Sequence, residues 1–365
     1  MSVYRGVNLG EWLTLEKWME PSVFEGTQSR DEDNLCRVLR EEDKIFRFRK
    51  HRDSFIQKKD VFYIKQLGLN AIRLPVPHFL FGDDERYCKP YVPCVDYVDK
   101  LFEWAEEAGL KIIIDLHTAP QSQNGYDNGG ICAVSKWVTD KANIDRTVHV
   151  LKEIARRYGH RDAFLGIELL NEPASDVVLM RNQHTYEAHD KAFAKGSKAV
   201  DLDTLFAFSE DGYRALRPLM RKDAYIIFHD GFRLDSWKYF FNDVKGLENV
   251  IMDTHWYLDM EEWRPEHTNI HFVNRILFTW MNKIREVQEY CPLMIGEWSL
   301  PHNMEKGLNE FQVKMSYRML ASAMLFAFET AFAYFYWNYR VECRDKDGWD
   351  FRECVRKGWL PSDFS

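Results

Sequence analysis

The sequence predicts a single (β/α)8 TIM barrel, with helical insertions after strands 1 and 4. Two observations support this fold class: short apolar runs alternate with amphipathic stretches of helical length, and the apolar runs number eight. Continuous apolar runs suit parallel strands that are covered on both faces, and their regular alternation with helices favours a barrel over an open sheet. The 365 residues, 45% of them hydrophobic, fit one catalytic domain over residues 1–365.

The predicted elements follow one another along the whole chain. The strands are predicted at 4–9, 69–74, 111–116, 166–173, 225–228, 250–253, 293–296 and 332–337. Helices at 58–67 and 95–108 carry apolar residues at helical spacing, and Gly68 and Gly109 stand where left-handed caps belong. The charged stretch 25–59 is predicted to form short helices, and 174–222 an added helical lobe with a break at Gly196.

Charge and cysteine content narrow the class of protein. The net charge of −8 argues against a nucleic-acid surface, for which a basic stripe is expected. No apolar stretch has spanning length and no leader is visible, so we expect a cytoplasmic protein without membrane contact, although secretion after removal of a leader stays open. Of the seven cysteines, only Cys88 and Cys94 are close enough in sequence to suggest a disulfide, and none has metal-site spacing. We expect a monomer or a twofold homodimer without metal or cofactor.

Polar and aromatic residues stand where the predicted strands end. In parallel barrels, chemistry is located at the carboxyl ends of the strands. The residues at these ends are Arg73, His117, Asn171, Glu172, His229, Asp230, His255, Tyr257, Glu297, Trp298 and Trp337. Packing alone would favour branched aliphatic residues there, so this ring predicts a functional site. For His229 and Asp230, a site role and a simple capping role at the turn stay equally open.

Two carboxylates in this ring suit glycoside cleavage. Glu172 is the next-to-last residue of the run GIELLNEP, and Pro173 biases it toward extended backbone at the end of the strand. Glu297 lies in MIGEW on the seventh predicted strand. Carboxyl groups about 5 to 5.5 Å apart give retention of anomeric configuration, and a wider spacing gives inversion. A charged nucleophile nearby is expected to raise the pKa of its acid partner.

Five motifs resemble glycoside hydrolase family 5, in its exo-β-1,3-glucanase (glucan 1,3-β-glucosidase) branch. They are RGVNLGEWLTLEKW at 5–18, DLHTAPQSQNGYDNGG at 115–130, GIELLNEP at 166–173, HWY at 255–257 and GEWS at 296–299. The resemblance implies that Glu172 is the acid/base and Glu297 the nucleophile. It also implies that Arg73 holds the nucleophile and that Asn171 bonds the 2-hydroxyl of the sugar.

The resemblance implies further substrate-binding residues and an activity. The implied binding residues are His117, His255 and Tyr257 around the sugar, Trp337 beneath its ring, and Glu16, Tyr126, Asp127 and Asn128 in the motifs near the non-reducing end. The implied reaction is retaining hydrolysis of a β-1,3-glucan substrate, which releases glucose or short oligosaccharides, most simply from the non-reducing end.

Departures from the family pattern leave alternatives open. Glu11 replaces a usual glycine, as does Thr118, while Met260 and Tyr339 replace usual aromatic residues. Other linkages therefore stay open, namely β-1,4 or β-1,6 glucan or a glucosylated lipid, as does a non-catalytic sugar-binding barrel. A metal-dependent barrel hydrolase would need a His-x-His pair and a clustered ligand set, and we expect neither. Trp12, Trp18 and Trp298 are predicted to pack rather than to bind sugar.

Overall fold

The computed structural model describes residues 3–258, 268–302 and 307–365, apart from the side chains of 344–346. Within these ranges eight parallel strands close in chain order, and the first strand pairs with the last. The strands are β1 (Tyr4–Asn8), β2 (Ala71–Val76), β3 (Lys111–Leu116), β4 (Phe164–Glu168), β5 (Tyr225–His229), β6 (Val250–His255), β7 (Leu293–Trp298) and β8 (Ala333–Tyr336). The predicted (β/α)8 barrel is confirmed.

Helices surround the strands and fill both predicted insertions. They are α1 (Pro21–Phe24), α2 (Glu32–Glu41), α3 (Phe46–Phe55), α4 (Lys58–Gln66), α5 (Glu85–Cys88), α6 (Val95–Ala108), α7 (Lys141–Tyr158), α8 (Asp176–Thr185), α9 (Lys191–Ala194), α10 (Leu202–Leu216), α11 (Trp237–Asp243), α12 (Asn269–Asn274), α13 (Met281–Val287), α14 (Glu310–Phe328) and α15 (Phe351–Arg356). A π-helical segment, Arg275–Trp280, joins α12 to α13. Helices α1 to α3 form the insertion after β1, and α8 and α9 form the insertion after β4.

Local sequence accounts for several helix ends. Gly68 and Gly109, just beyond α4 and α6, have φ of 82° and 69°, so both predicted left-handed caps are confirmed. At the start of α14, Asn309 and Gln312 each accept the backbone N–H of the other at 3.0 Å, which satisfies two donors that a helix start leaves unpaired. Gly196, at φ 83°, breaks the lobe after α9 as predicted.

Alternation of side chains along the strands divides the barrel interior into layers. The apolar layer consists of Ala71, Ile113, Leu165, Ile227, Ile251, Met294, Phe332, Ala333 and Phe335. Two residues after Ile113 comes the fully buried Asp115, and two residues later His117. Strand β6 repeats this order with Asp253 and His255, because every second residue of a strand faces the same side. The interior therefore changes from apolar to charged toward the carboxyl ends of the strands.

Strand β4 and the residues after it differ from the prediction. The strand ends at Glu168, four residues before Glu172. The backbone of Glu172 has φ of 47°, so the extended conformation predicted from Pro173 is wrong. Tertiary hydrogen bonds on both sides override the local preference: the N–H of Asn171 donates to the carbonyl of Leu116, and the N–H of Ala174 donates to the carbonyl of Gln123. Such backbone strain persists only where surrounding contacts hold it.

Two remaining sequence expectations concern cysteines and membranes. Every cysteine is a free thiol, so Cys88 and Cys94 do not form the disulfide that their spacing left open. Among the described helices, none combines the length with the apolar character needed to cross a membrane.

Met260, which replaces a usual aromatic residue of the resembled family, lies outside the described residues.

Candidate active site

Arg73, on β2, is the centre of a buried network at the carboxyl end of the barrel. Its Nε donates to Glu168 at 2.8 Å, and its Nη2 donates to Asn171 at 3.0 Å. Its Nη1 donates to Asn8 and to Oε1 of Glu297, both at 2.9 Å. The guanidinium is planar and its N–H donors have fixed directions. The contacts with Glu168, Asn8 and Asn171 therefore fix its position, and its remaining contact orients the Glu297 carboxylate.

His255, at the end of β6, connects the two candidate catalytic carboxylates. Its Nδ1 lies 2.8 Å from Oε1 of Glu172 and 3.3 Å from Oε2 of Glu297. The Tyr257 hydroxyl donates to the same Oε2 at 2.7 Å. The distance between Oε1 of Glu172 and Oε2 of Glu297 therefore cannot exceed the sum of these two contacts, 2.8 Å and 3.3 Å. One buried imidazole thus holds both Glu172 and Glu297 within a short distance of each other.

The second oxygen of Glu172 is also held. Nδ2 of Asn128 donates to Oε2 of Glu172 at 2.9 Å, and Oδ1 of Asn128 accepts from Asn124 at 2.9 Å. Gln123 fixes the loop that carries Glu172, because its amide donates to the carbonyl of Asn171 at 2.8 Å. The loop after β3 therefore positions the carboxylate that the loop after β4 presents.

The charges around His255 favour its protonated form. Burial alone would lower the pKa of His255, but the carboxylates of Glu297, Asp253 and Glu172 raise it well above its usual range. Asp253 lies beneath the ring, with Oδ2 at 3.3 Å from Nε2. His255 is therefore an imidazolium placed among three acids, two of which are the candidate catalytic pair.

The charge on His255 changes the pKa of Glu172 in the direction opposite to the one that the sequence predicted. Burial favours the neutral acid, yet the hydrogen bond and charge of His255, together with the Asn128 amide, lower the pKa of Glu172. The pKa of Glu297 is raised, because burial outweighs the attraction of His255 and Arg73. The predicted elevation of the Glu172 pKa by its carboxylate partner is therefore wrong for the unliganded enzyme, since a cation stands between the two acids.

Several buried nitrogens beside the candidate catalytic pair have no hydrogen-bond partner among the described residues. They include Nδ2 of Asn171 and Nε2 of His117, both on residues at most 1% exposed. His117 is fixed through its other nitrogen, which lies 2.6 Å from Asp115. Buried polar groups are nearly always hydrogen-bonded, so these nitrogens are suited to sugar hydroxyls.

Trp337 forms the flat face of the site. Its ring stacks on that of His117, with centroids 5.5 Å apart and planes 6° from parallel. Gly10 lies directly beside it, and a Cβ at this position would be 2.7 Å from the ring. The glycine therefore permits the close approach, and the indole offers an apolar surface for a sugar ring.

A pocket of about 290 Å³ opens over these residues. Its walls are Glu16, Trp18, Tyr126, Asp127, Asn128, Glu172, Tyr186, Tyr257, Glu297, Trp337 and Trp349. Eight of these eleven residues were predicted as site residues from the sequence. Trp18 was assigned to packing, whereas Tyr186 and Trp349 were missed because they lie in the insertion after β4 and in the loop after β8, outside the recognised motifs.

The other predicted site residues lie behind these walls. Arg73 bonds to Glu297, Asn171 precedes Glu172, His117 stacks on Trp337, and His255 holds both acids. The structure therefore brings every predicted site residue to one location. Trp12 and Trp298 are buried away from the pocket lining, as their prediction required.

One end of the pocket is acidic. Burial raises the pKa of Asp127 to about 6, and burial together with the Asp127 charge raises the pKa of Glu16 well above its usual range. Glu16 is held from two sides: Trp18 donates to its Oε2 at 2.9 Å, and its backbone N–H donates to Oε2 of Glu11 at 2.8 Å. Glu11 has φ of 64°, a left-handed conformation that glycine adopts at least cost. This agrees with the glycine that is usual here in the family that the motifs resemble.

The departures at Thr118 and Tyr339 have structural roles. The hydroxyl of Thr118 accepts the backbone N–H of His78 at 3.1 Å. The hydroxyl of Tyr339 donates to Asp60 at 3.0 Å, and the ring is buried. Neither residue lines the pocket, so neither substitution changes its walls.

The structure also clusters groups that could hold a metal ion. One ligand atom from each of Glu172, His229 and His255 lies within 4.8 Å of the others, and the same holds for Glu168, Asp253 and His255. The expectation of no clustered ligand set is therefore wrong, because β4, β5 and β6 are neighbours in the barrel. In both clusters His255 already lies within ion-pair distance of a carboxylate, 2.8 Å from Glu172 and 3.3 Å from Asp253.

The buried layer beneath the pocket was not predicted. Asn8, Asp115, Glu168 and Asp253 are fully buried and surround Arg73. The sequence could have indicated two of them, Asp115 and Asp253. Each lies two residues before a candidate site histidine, His117 or His255, and therefore on the same face of its strand. A charged residue on the same strand face as a candidate site residue indicates a supporting contact.

Three kinds of similarity agree with this geometry. The model of the family Cellulase (glycosyl hydrolase family 5) matches residues 43–342. Glucan 1,3-beta-glucosidases of Blumeria graminis and Candida oleophila are each 28% identical to the chain over 98% of its length, covering 86% and 88% of their own. The crystal structure of rutinosidase from Aspergillus niger superposes with a TM-score of 0.80 at 17% identity, over 98% of both chains, which shows the shared fold. The family model covers most of the chain, and the chain therefore belongs to glycosyl hydrolase family 5.

Proposed function

We propose that this enzyme is a retaining glucosidase that releases glucose from the non-reducing end of β-1,3-glucan, with residues 1–365 acting as one catalytic domain. The relatives named glucan 1,3-beta-glucosidase support the substrate class. The shared contact of Glu172 and Glu297 with Nδ1 of His255 supports retention. Because one oxygen of each carboxylate contacts the same nitrogen, at 2.8 Å and 3.3 Å, the arrangement favours the short spacing of retaining enzymes over the wider inverting one.

In the first step, Oε2 or Oε1 of Glu297 attacks the anomeric carbon while the glycosidic C–O bond breaks. Glu172 gives a proton to the departing oxygen, which leaves as an alcohol. Arg73 and Tyr257 hold the Glu297 carboxylate for in-line attack, at 2.9 Å and 2.7 Å. The product is a glucosyl ester of Glu297.

In the second step, water attacks the same carbon and Glu172 takes its proton. The ester bond to Glu297 breaks, glucose leaves, and both carboxyl groups return to their starting states. The unpaired Nδ2 of Asn171 is available to the 2-hydroxyl, and this bond would strengthen as positive charge develops on the ring.

The proton for the first step is held by the Glu172–His255 pair. The imidazolium of His255 faces Oε1 of Glu172 at 2.8 Å, which permits direct transfer of a proton between them. Substrate that fills the pocket removes water from Glu172, and this desolvation shifts the shared proton toward the carboxyl group. Glu172 would thus become the acid only when the sugar is bound.

The size and lining of the pocket support action at a chain end. A volume of about 290 Å³ is at the small end of ligand pockets, which span roughly 300 to 1,000 Å³, and suits a terminal sugar better than an extended chain. Glu16 and Asp127 offer carboxyl oxygens to hydroxyl groups at its acidic end. A neutral glucan fits this lining, whereas an anionic sugar would be repelled.

Product analysis on laminarin tests the proposal. We expect glucose as the first and only early product, released as the β-anomer, when the reaction is followed by proton NMR before mutarotation. Glu297→Gln is the matched inactive control. Release of α-glucose would refute retention, and a ladder of oligosaccharides would refute action at the chain end.

The same assay separates the remaining linkages. Cellulose reports β-1,4 cleavage, pustulan reports β-1,6 cleavage, and a glucosylated lipid reports the lipid alternative. Faster turnover of any of these than of laminarin would reassign the substrate. Full activity after treatment with a chelator is expected, since no step requires a metal ion.

A further inference from the structure

His229, the last residue of β5, lies beside the Glu172–His255 pair. The residue is 2% exposed, and its ring meets the ring of His255 edge-on, with centroids 4.5 Å apart and planes at 84°. A ring nitrogen of His229, a ring nitrogen of His255 and a carboxylate oxygen of Glu172 lie within 4.8 Å of one another. His229 is therefore an imidazole close to the acid/base that the proposed chemistry does not yet use.

The surroundings of His229 fix its tautomer. The backbone N–H of Gly231 donates to Nδ1 at 2.9 Å, so this nitrogen carries a lone pair and the ring hydrogen is on Nε2. The Asp230 carboxylate lies 3.5 Å from Nδ1 but is already engaged by the N–H of Phe232 and the hydroxyl of Thr254. Burial, with His255 as the nearest cation, also lowers the pKa of His229 well below its usual range. His229 is a neutral ring with one donor.

That donor, Nε2–H, has no hydrogen-bond partner among the described residues. A buried donor is nearly always paired with protein or with ordered water. A ring nitrogen of His229 lies within 4.8 Å of a carboxylate oxygen of Glu172, and no direct hydrogen bond joins these two described residues. One water molecule between them would give the Nε2–H donor a partner and connect it to Glu172.

We propose that His229 is a positioning residue for Glu172, acting through this water. The proposal rests on the proposed function, in which Glu172 must be an ionised base in the second step. A donor that is itself neutral stabilises the ionised carboxylate without adding a second charge to the site. His229 would therefore accelerate release of glucose from the ester more than formation of the ester.

Other groups also act on the proton affinity of the Glu172–His255 pair. The charged and titratable groups that face the pair are Glu16 after β1, Arg73 on β2, Asp115 on β3 with His117 and Tyr126 after it, Glu168 on β4, Asp230 after β5, Asp253 on β6, Tyr257 after β6 and Glu297 on β7. These groups are unchanged in a variant of His229. A shift in the pH profile of such a variant therefore reports the lost donor.

Two variants of His229 test the proposal. His229→Gln keeps an N–H donor and an acceptor, and His229→Met keeps the volume but removes both. With 2,4-dinitrophenyl β-glucoside, whose departure needs no acid, we expect the Met variant to lose about fivefold in kcat, the effect of one neutral hydrogen bond, while kcat/KM is unchanged. With laminarin oligosaccharides, the basic limb of kcat/KM should move to higher pH, because loss of the donor raises the pKa of Glu172. The Gln variant should resemble the wild type in both assays.

The outcomes separate this role from a structural one. Equal losses in kcat and kcat/KM for both variants, or kcat values equal to that of the wild type, would overturn the proposal. If His229→Met does not fold, nitrogen-15 spectra of labelled wild-type enzyme decide: a neutral His229 with its hydrogen on Nε2 between pH 5 and 8 supports the role, and any other form overturns it. A wild type that cleaves no β-glucoside refutes the proposed function, whereas an active wild type with unaffected variants refutes only the role of His229.

Discussion

Oε1 of Glu172 lies 2.8 Å from Nδ1 of His255, so the candidate acid faces a cation rather than another acid. The pKa of the carboxyl is lowered as a result, although burial acts in the opposite direction. The sequence motifs identify both residues but not the contact, because Glu172 follows β4 and His255 ends β6, and the two meet only across the carboxyl end of the barrel. In the proposed mechanism, this contact determines where the proton of the first step is stored.

Removal of the nucleophile should abolish turnover. We expect Glu297→Gly to lower kcat by roughly 10⁵-fold, the scale on which an essential nucleophile acts. Azide fits the space of the lost carboxylate and attacks from the same side, so an activated β-glucoside should yield α-glucosyl azide, identified by NMR. Absence of rescue, or formation of the β-azide, would contradict the assignment of Glu297.

Removal of the acid/base should affect substrates according to their leaving groups. Glu172→Ala is expected to lower kcat/KM on laminarin oligosaccharides by about 10² to 10⁴-fold, the usual contribution of general acid catalysis. The dinitrophenyl glucoside should lose far less, because its leaving group departs without a proton. Parallel kinetics on the two substrates check this, and equal losses would contradict the role of Glu172. Added azide should here give the β-azide, the opposite anomer to that from Glu297→Gly.

The fold was predictable because its signals are local and repeated. The apolar run at 111–116 and the glycine ends at Gly68 and Gly109 each recur in the structure at their predicted positions. The conformation of Glu172 was not predictable, since hydrogen bonds from the loop after β3 set it against the preference that Pro173 imposes. Local sequence reports strand and helix periodicity, whereas the site depends on contacts between distant loops.

The candidate site was also predictable only in part, for the same reason. The motifs marked Glu172 and Glu297, and the end of the second predicted strand marked Arg73. Tyr186 and Trp349 line the pocket from long connecting segments whose path the sequence does not encode locally. A search for a second charged residue on the same strand face, as at Asp115, would have found part of the buried layer around Arg73.

Asp127 should give substrate binding a pH dependence. Burial raises its pKa to about 6, so the carboxyl is neutral below that pH and ionised above it. An ionised oxygen is the stronger acceptor for a sugar hydroxyl, so we expect glucose to bind more tightly as pH rises through 6. Inhibition constants for glucose between pH 5 and 7.5 measure this. Asp127→Asn should bind more weakly and show no inflection near pH 6, and a retained inflection would assign the titration to another group.

Glu11 should reduce stability at neutral pH. Burial and the neighbouring Glu16 raise its pKa well above the ordinary value, so the folded chain binds this proton more tightly than the unfolded chain does. The sign follows from linkage: the unfolded state binds fewer protons above its own carboxyl pKa, so stability falls as pH rises from there toward the folded pKa. Glu11→Gln keeps an acceptor for the Glu16 N–H but does not ionise. We expect its melting temperature to match the wild type near pH 4 and to exceed it by about 2 °C or more at pH 7. Glu41→Gln, at an exposed position, is the matched control, and its melting temperature should follow that of the wild type at both pH values. If Glu11→Gln were instead less stable than the wild type at pH 7, the ionised Glu11 carboxylate would be favourable where it is buried.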